Sequence, residues 1–275
     1  MWDCADRQRR RHPAESCHAP VGRGVNLSTI GSAIRAQPAP ARAAKTSAGE
    51  SLFEPGRNCW RVERAAQVAF LVDGEEYFGA VRAALAKAQH SFYILGWDTD
   101  SRMRLTPKGA DDGLPEPLAD FLNTIAARRG VHGYVLSWDF AMLYTLEREW
   151  FPIFKLDWRT HRRLQFRLDD HIPAGASHHQ KIVVVDDTVA FVSGYDLTRV
   201  RWDTHKHAED DPCRVDHRGV KYPPFHDVGI AVTGTCARAL GDLARERWRR
   251  ATGHTLKPSI TSAPADVWPP GSTPC

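Results

Sequence analysis

The stretch "GASHHQKIVVVDD" (residues 175–187) sets two histidines and a lysine at the head of a valine run and closes the run on two aspartates. Four consecutive β-branched residues bounded by polar ones read as a buried strand, and "TVAFVSG" (188–194) after the aspartates reads as its hairpin partner. On such a strand side chains alternate, so His179, Lys181, Val183 and Val185 share one face while Gln180, Ile182, Val184 and Asp186 share the other. The imidazole and the ammonium therefore point the same way, whereas Asp186, seven residues on from His179, is expected to fix the turn by bonding nearby backbone.

Outward from this hairpin the chain alternates helix and strand. Acids at its start and apolar residues at helical spacing predict a helix over 73–89, followed by a strand over 90–97. A second helix over 114–130, stopped by Gly130, precedes a strand over 132–138. A helix over 141–151, strands over 163–169, 180–186, 189–194 and 226–234, and a long helix over 235–253 complete the pattern. Such alternation predicts an α/β fold, a mixed sheet flanked by helices on both faces. Residues 1–51, rich in Arg, Ala, Ser and Pro, read as a disordered basic leader, 52–254 as the folded lobe, and 255–275 as a disordered Pro-rich tail.

The formal charge of +4 sits wholly in the first fifty residues, so the body is balanced, and a broad basic surface for nucleic acid is not expected. A local patch, "WRTHRR" (158–163), is the exception. The six cysteines show no CxxC pairing and no zinc-finger spacing; they read as reduced thiols of a cytoplasmic protein, with Cys59 and Cys236 at core or helix positions. No apolar run approaches the ~20 residues of a membrane span.

A histidine beside a lysine, with no acid at metal-ligand spacing, suits a phosphoryl group better than a metal. The ammonium neutralises non-bridging oxygens, and a neutral imidazole can attack phosphorus. An arbitrary His-x-Lys at a strand edge is, for its part, commonly plain surface.

His179-x-Lys181-x4-Asp186, followed after six residues by "SGYD" (193–196), resembles the HxKx4Dx6GGx(N/D) signature of the phospholipase D superfamily, the HKD enzymes. "ILGWDTDSRMRL" (94–105), "VLSWDFAMLYTLEREWFP" (135–152), "FVSGYDLTRVRWDT" (191–204) and "YPPFHDVGIAVTG" (222–234) extend the likeness across residues 52–252, to the N-terminal half of bacterial two-motif members. The resemblance implies a phosphodiesterase lobe, hydrolysing or transferring phosphodiesters, phospholipid ahead of nucleic acid, through a phosphohistidine, with peripheral membrane contact and no metal or organic cofactor. It implies His179 as nucleophile and Lys181 as phosphate holder, Asp186 as the motif's third member, and Asp203 of "RWD" as an acid near the site that orients an imidazole. Asp196 and Ser193 occupy the signature's loop, where Asp196 is expected to order the loop. His178 is expected to be structural. His226 and Asp227 are open between a pair satisfied inside the fold and a pocket role, and Asp98 and Asp100 between rimming the site and capping their loop.

The larger departure from the family is that this chain has a single His-x-Lys. Two histidines are needed, because an alkoxide leaves poorly without a proton. The chain is therefore expected to be a lobe awaiting a separate second HKD lobe, or a homodimer that brings two copies of His179 together, or a non-catalytic module that binds phosphate or a lipid headgroup.

Overall fold

The computed structural model describes residues 51–139, 161–173 and 176–259. The expected helix over 141–151, the leader up to residue 50, the tail beyond 259 and the first half of the "WRTHRR" patch lie outside them. Residues 51–62 belong to a separate small unit, in which a turn brings the Arg57 guanidinium 2.6 Å from Glu54.

From residue 63 on, seven strands form one mixed sheet in the order β1-β7-β6-β5-β2-β3-β4. They are β1 (Val68–Val72), β2 (Ser91–Gly96), β3 (His132–Trp138), β4 (Leu164–Asp169), β5 (Ile182–Val185), β6 (Val189–Ser193) and β7 (Val228–Thr233). β2, β3 and β4 run parallel, and every other neighbouring pair is antiparallel. Among the described residues three helices accompany them: α1 (Asp73–Ala86), α2 (Leu118–Arg129) and α3 (Thr235–Thr252). Gly130 ends α2 in the left-handed conformation, φ 68°, which costs glycine nothing.

Period-two alternation builds a core on each face of the sheet. Phe92, Ile94, Val183 and Val185 pack with Phe78, Val81 and Leu85 of α1 and Phe121 of α2, while Tyr93, Leu95, Ile182 and Val184 pack with Ala244 and Trp248 of α3. Each fully buried Val, Leu, Ile or Phe contributes about 1.5–3 kcal/mol, so the two layers of aliphatic contact hold the sheet between its helices. The mixed sheet covered on both faces is thus as the alternation predicts. β1 was not among the predicted elements. Cys236 lies in α3 and packs half-buried against the core, a helix position as expected; Cys59 is half-buried in the small unit, and among the described residues Cys213 is the buried cysteine. No described helix is long and apolar enough to cross a membrane.

At Gly133 of β3 an added Cβ would collide with Phe92 Cζ and lie 2.6 Å from Leu164 Cδ1. A methyl group there must displace a fully buried ring. Gly133→Ala is therefore expected to destabilise the lobe by about 1–3 kcal/mol, the usual cost of overpacking, read as a lowered urea midpoint.

Candidate functional site

Strand directions collect the chemistry on one edge. β1, β2 and β6 end where β5 and β7 begin, because β5 is antiparallel to β2 and β6, and β7 to β1 and β6. Asp73, Trp97, Lys181, Asp196 and His226 all fall just beyond those strand ends.

Lys181 immediately precedes β5 and is 5% exposed. Its Nζ lies 3.2 Å from Asp196 Oδ2 and donates to the His179 carbonyl at 3.4 Å. Asp196, also buried, accepts the amides of Trp97 at 2.7 Å and Asp98 at 3.1 Å on Oδ1. One carboxylate therefore ties the end of β2 to the loop after β6 and holds the ammonium in place, a loop-ordering role. His179 is exposed and lies before the strand rather than on it. Its ring meets the Trp97 indole edge-on, centroids 6.3 Å apart, so the imidazole and the ammonium share the neighbourhood of Trp97. His178 turns elsewhere: its Nε2 is 3.3 Å from the buried Asp169 carboxylate, which also receives Arg247 Nη2 at 2.7 Å. Burial, then the Arg247 charge, pushes the His178 imidazole below its ordinary pKa, which favours its neutral form. Ser193 accepts the Tyr195 amide at 3.1 Å, a contact within its own turn.

Two expected site residues stand in other roles. Asp186 lies at the opposite end of β5 from Lys181, about 16 Å away at ~3.3 Å per residue. Its carboxylate accepts the amides of Gln89 (2.7 Å), His90 (2.7 Å) and Ser91 (2.8 Å), so it clamps the link into β2 at the far end of β5 from Lys181. Asp203, fully buried, does orient an imidazole, but that of His207 and not that of His179. Its carboxylate takes His207 Nδ1 at 3.0 Å, Arg214 Nη1 at 3.0 Å and the amides of Thr204 (2.8 Å) and Phe225 (2.9 Å). Burial pushes this carboxyl up, but the bonds from His207, the two amides and Arg214 outweigh it and leave it below the usual range.

Asp98 accepts the Thr198 hydroxyl at 2.8 Å, and Asp100 holds Arg102 through Nε and Nη2, both at 3.0 Å. Both acids fasten loops.

Sequence reasoning missed Asp73. Held at φ 64° and 1% exposed, it receives three imidazoles: His226 Nδ1 at 2.6 Å on Oδ1, and His205 Nδ1 at 3.1 Å and His207 Nε2 at 3.3 Å on Oδ2. Donor atoms of Asp73, His207 and His226 lie within 4.8 Å of one another, a nitrogen and oxygen set that fits a divalent cation, with Asp203 fixing the outer nitrogen of His207. The expectation of no metal ligands rests on local spacing, around His179 and among the cysteines, which does not report on histidines brought together from distant loops. The signal lay in "RWDTHKH" and "FHDV", whose histidines meet only in the fold.

No family model matches the chain. Phospholipase D C of Dictyostelium discoideum is 27% identical over 206 residues, covering 66% of this chain and 12% of that protein. Phospholipase D zeta 1 of Arabidopsis thaliana is 27% identical over 215 residues, covering 67% of this chain and 19% of that protein. The chain thus spans less than a fifth of the length of either relative, and the expected tie to bacterial members in particular is not borne out. Among solved structures, NucT from Helicobacter pylori aligns with a TM-score of 0.45 at 11% identity, covering 67% of this chain and 96% of that one. The similarity to these curated phospholipases D supports the resemblance to the phospholipase D superfamily read from His179-x-Lys181-x4-Asp186.

Proposed function

We propose that the lobe is one half of a phospholipase D-like phosphodiesterase, in which Lys181 holds the phosphoryl oxygens and His179 is the nucleophile. The observation that carries this reading is the Lys181 ammonium, pinned 3.2 Å from Asp196 at the strand end beside the exposed His179. A pinned ammonium loses little further freedom on meeting an anion, and an exposed imidazole is open to phosphorus.

In the step itself an imidazole nitrogen forms an N–P bond as the ester P–O bond breaks, the electron pair leaving on oxygen. An alkoxide needs a proton from a second imidazole, and the sequence has one His-x-Lys. A second lobe, or a second copy of this one, supplies it. Water then breaks the N–P bond and frees His179. Phospholipid is preferred over nucleic acid as substrate because the body beyond residue 50 carries no net charge.

A nitrophenolate leaving group needs no proton, so bis(p-nitrophenyl) phosphate tests His179 alone. The full chain is expected to release about one nitrophenolate per chain in a burst, with a phosphoryl adduct on the peptide holding His179; the His179→Ala variant gives neither. An undiminished burst in that variant overturns the reading. Steady turnover that falls on dilution assigns the second imidazole to a second copy.

A further inference from the structure

The imidazole of His179 needs something to aim it. The residue precedes β5 instead of lying on it, is exposed, and among the described residues makes no hydrogen bond through its ring. Its backbone is tied where the carbonyl accepts the Lys181 ammonium at 3.4 Å. The ring beyond that point can still turn about χ1 and χ2. With about three wells at χ1 and about two at χ2, a ring left to itself spends only about one sixth of its time in any one orientation. Attack on phosphorus needs the nitrogen lone pair in line with the bond that breaks, so the other orientations are idle.

The group that meets this ring is the Trp97 indole, at an interplanar angle of 62° with centroids 6.3 Å apart. Trp97 is itself well fixed. It follows Gly96, the last residue of β2, which pairs with Ser137 of the parallel strand β3, and so it falls beside Trp138. The two indoles stand 5.7 Å apart at 43°, and Trp138 is buried. On the main-chain side the Trp97 amide donates to Asp196 Oδ1 at 2.7 Å, and Oδ2 of the same carboxylate lies 3.2 Å from the Lys181 ammonium. One residue therefore reaches both halves of the motif: the counter-ion of the ammonium through its amide, and the imidazole through its ring.

We propose that Trp97 is the positioning residue for His179, with the buried Trp138 as its backing. The inference rests on the reading of His179 as the nucleophile and names what orients it. Its two attachments divide the work. The amide belongs to the backbone and survives any substitution at this position, so the ammonium stays placed; the indole alone restricts the imidazole. Removing the ring should therefore slow attack on a bound phosphodiester without loosening the hold on its phosphoryl oxygens.

The nitrophenolate burst from bis(p-nitrophenyl) phosphate, followed by stopped flow on the full chain, separates aiming from holding. Trp97→Leu and Trp97→Gln, each checked for folding by thermal unfolding, are expected to release the same amount in the burst at a rate constant lowered about fivefold or more. The half-saturating substrate concentration and the affinity for inorganic phosphate are expected to stay within about twofold of the unaltered chain, because the amide bond to Asp196 remains. Trp97→Phe keeps a ring at the contact and should restore most of the rate. In proton NMR the imidazole resonances that vanish in His179→Ala should shift in both ringless variants, as the ring current of the indole is lost. A native burst rate in either folded ringless variant overturns the proposal. So does a loss of rate matched by an equal loss of phosphate affinity, which would make Trp97 part of the hold on phosphate. No burst in the unaltered chain, with the ring-current shift still present, instead removes His179 as nucleophile and leaves the contact with nothing to aim.

Discussion

Asp186→Ala is expected to lower the unfolding free energy by about 4 kcal/mol or more, although this residue is the motif's third member and lies at the far end of β5 from Lys181. Three amides, of Gln89, His90 and Ser91, end on its carboxylate at 2.7–2.8 Å, and the residue is 2% exposed. Each bond to a charged acceptor contributes about 1.5–3 kcal/mol, and removal leaves donors without an acceptor where water does not easily reach. The backbone adds a further cost, because φ at this position is 52°, which Asp tolerates better than Ala. Asn keeps the left-handed preference. With its oxygen in the Oδ1 position it retains the bonds to His90 and Ser91 and sets an NH₂ against the Gln89 amide. Stability should therefore fall in the order Asp, Asn, Ala, read from urea midpoints, and the Ala variant should melt roughly 10 °C lower. Phosphate binding by the folded fraction should be unchanged. An Asp186→Ala protein of native stability that no longer bound phosphate would instead tie this residue to the proposed Lys181 anion site.

The same residue shows what a sequence carries and what it withholds. Its place at the end of a valine strand is legible, because the alternation from Lys181 to Val185 leaves one reading of the faces, and both cores bear that out. Its partners are not legible, since they lie more than ninety positions away and are backbone groups that no composition records. β1 was missed for a local reason. Its five residues, VAFLV, run straight into the acids that open α1, with no turn between them to mark a separate element. Asp203 was expected to orient an imidazole of the site, and the imidazole it bonds is four residues on in its own loop, at His207. Asp73 and His226, 153 positions apart, become neighbours only because β1 and β7 pair at the edge of the sheet. A local motif singles out His179 and Lys181; the histidines around Asp73 need the topology.

Asp196→Asn is expected to raise the affinity of the Lys181 site for inorganic phosphate about tenfold, and Lys181→Met to abolish binding there. The two groups form a pair 3.2 Å apart, each about 5% exposed, so little solvent screens them. In the native lobe an incoming anion meets an ammonium already neutralised by Asp196, and part of the attraction is spent against that carboxylate. Asn removes the charge while its oxygen still accepts the Trp97 and Asp98 amides, so the loop keeps its course. The ammonium is left buried without a counter-ion, a state that costs about 3–5 kcal/mol when no anion is present. Phosphate restores the missing charge, so Asp196→Asn should be less stable than the native lobe in its absence and recover most of the difference at saturation, by the linkage of binding to folding. Lys181→Met removes the other partner and leaves the carboxylate with its two amide bonds but no cation. That variant should lose about 3–5 kcal/mol, with no recovery through this site at any phosphate concentration. Opposite responses to the same ligand from the two halves of one ion pair separate an anion site from a purely structural pair, for which both variants would lose stability alike and phosphate would rescue neither.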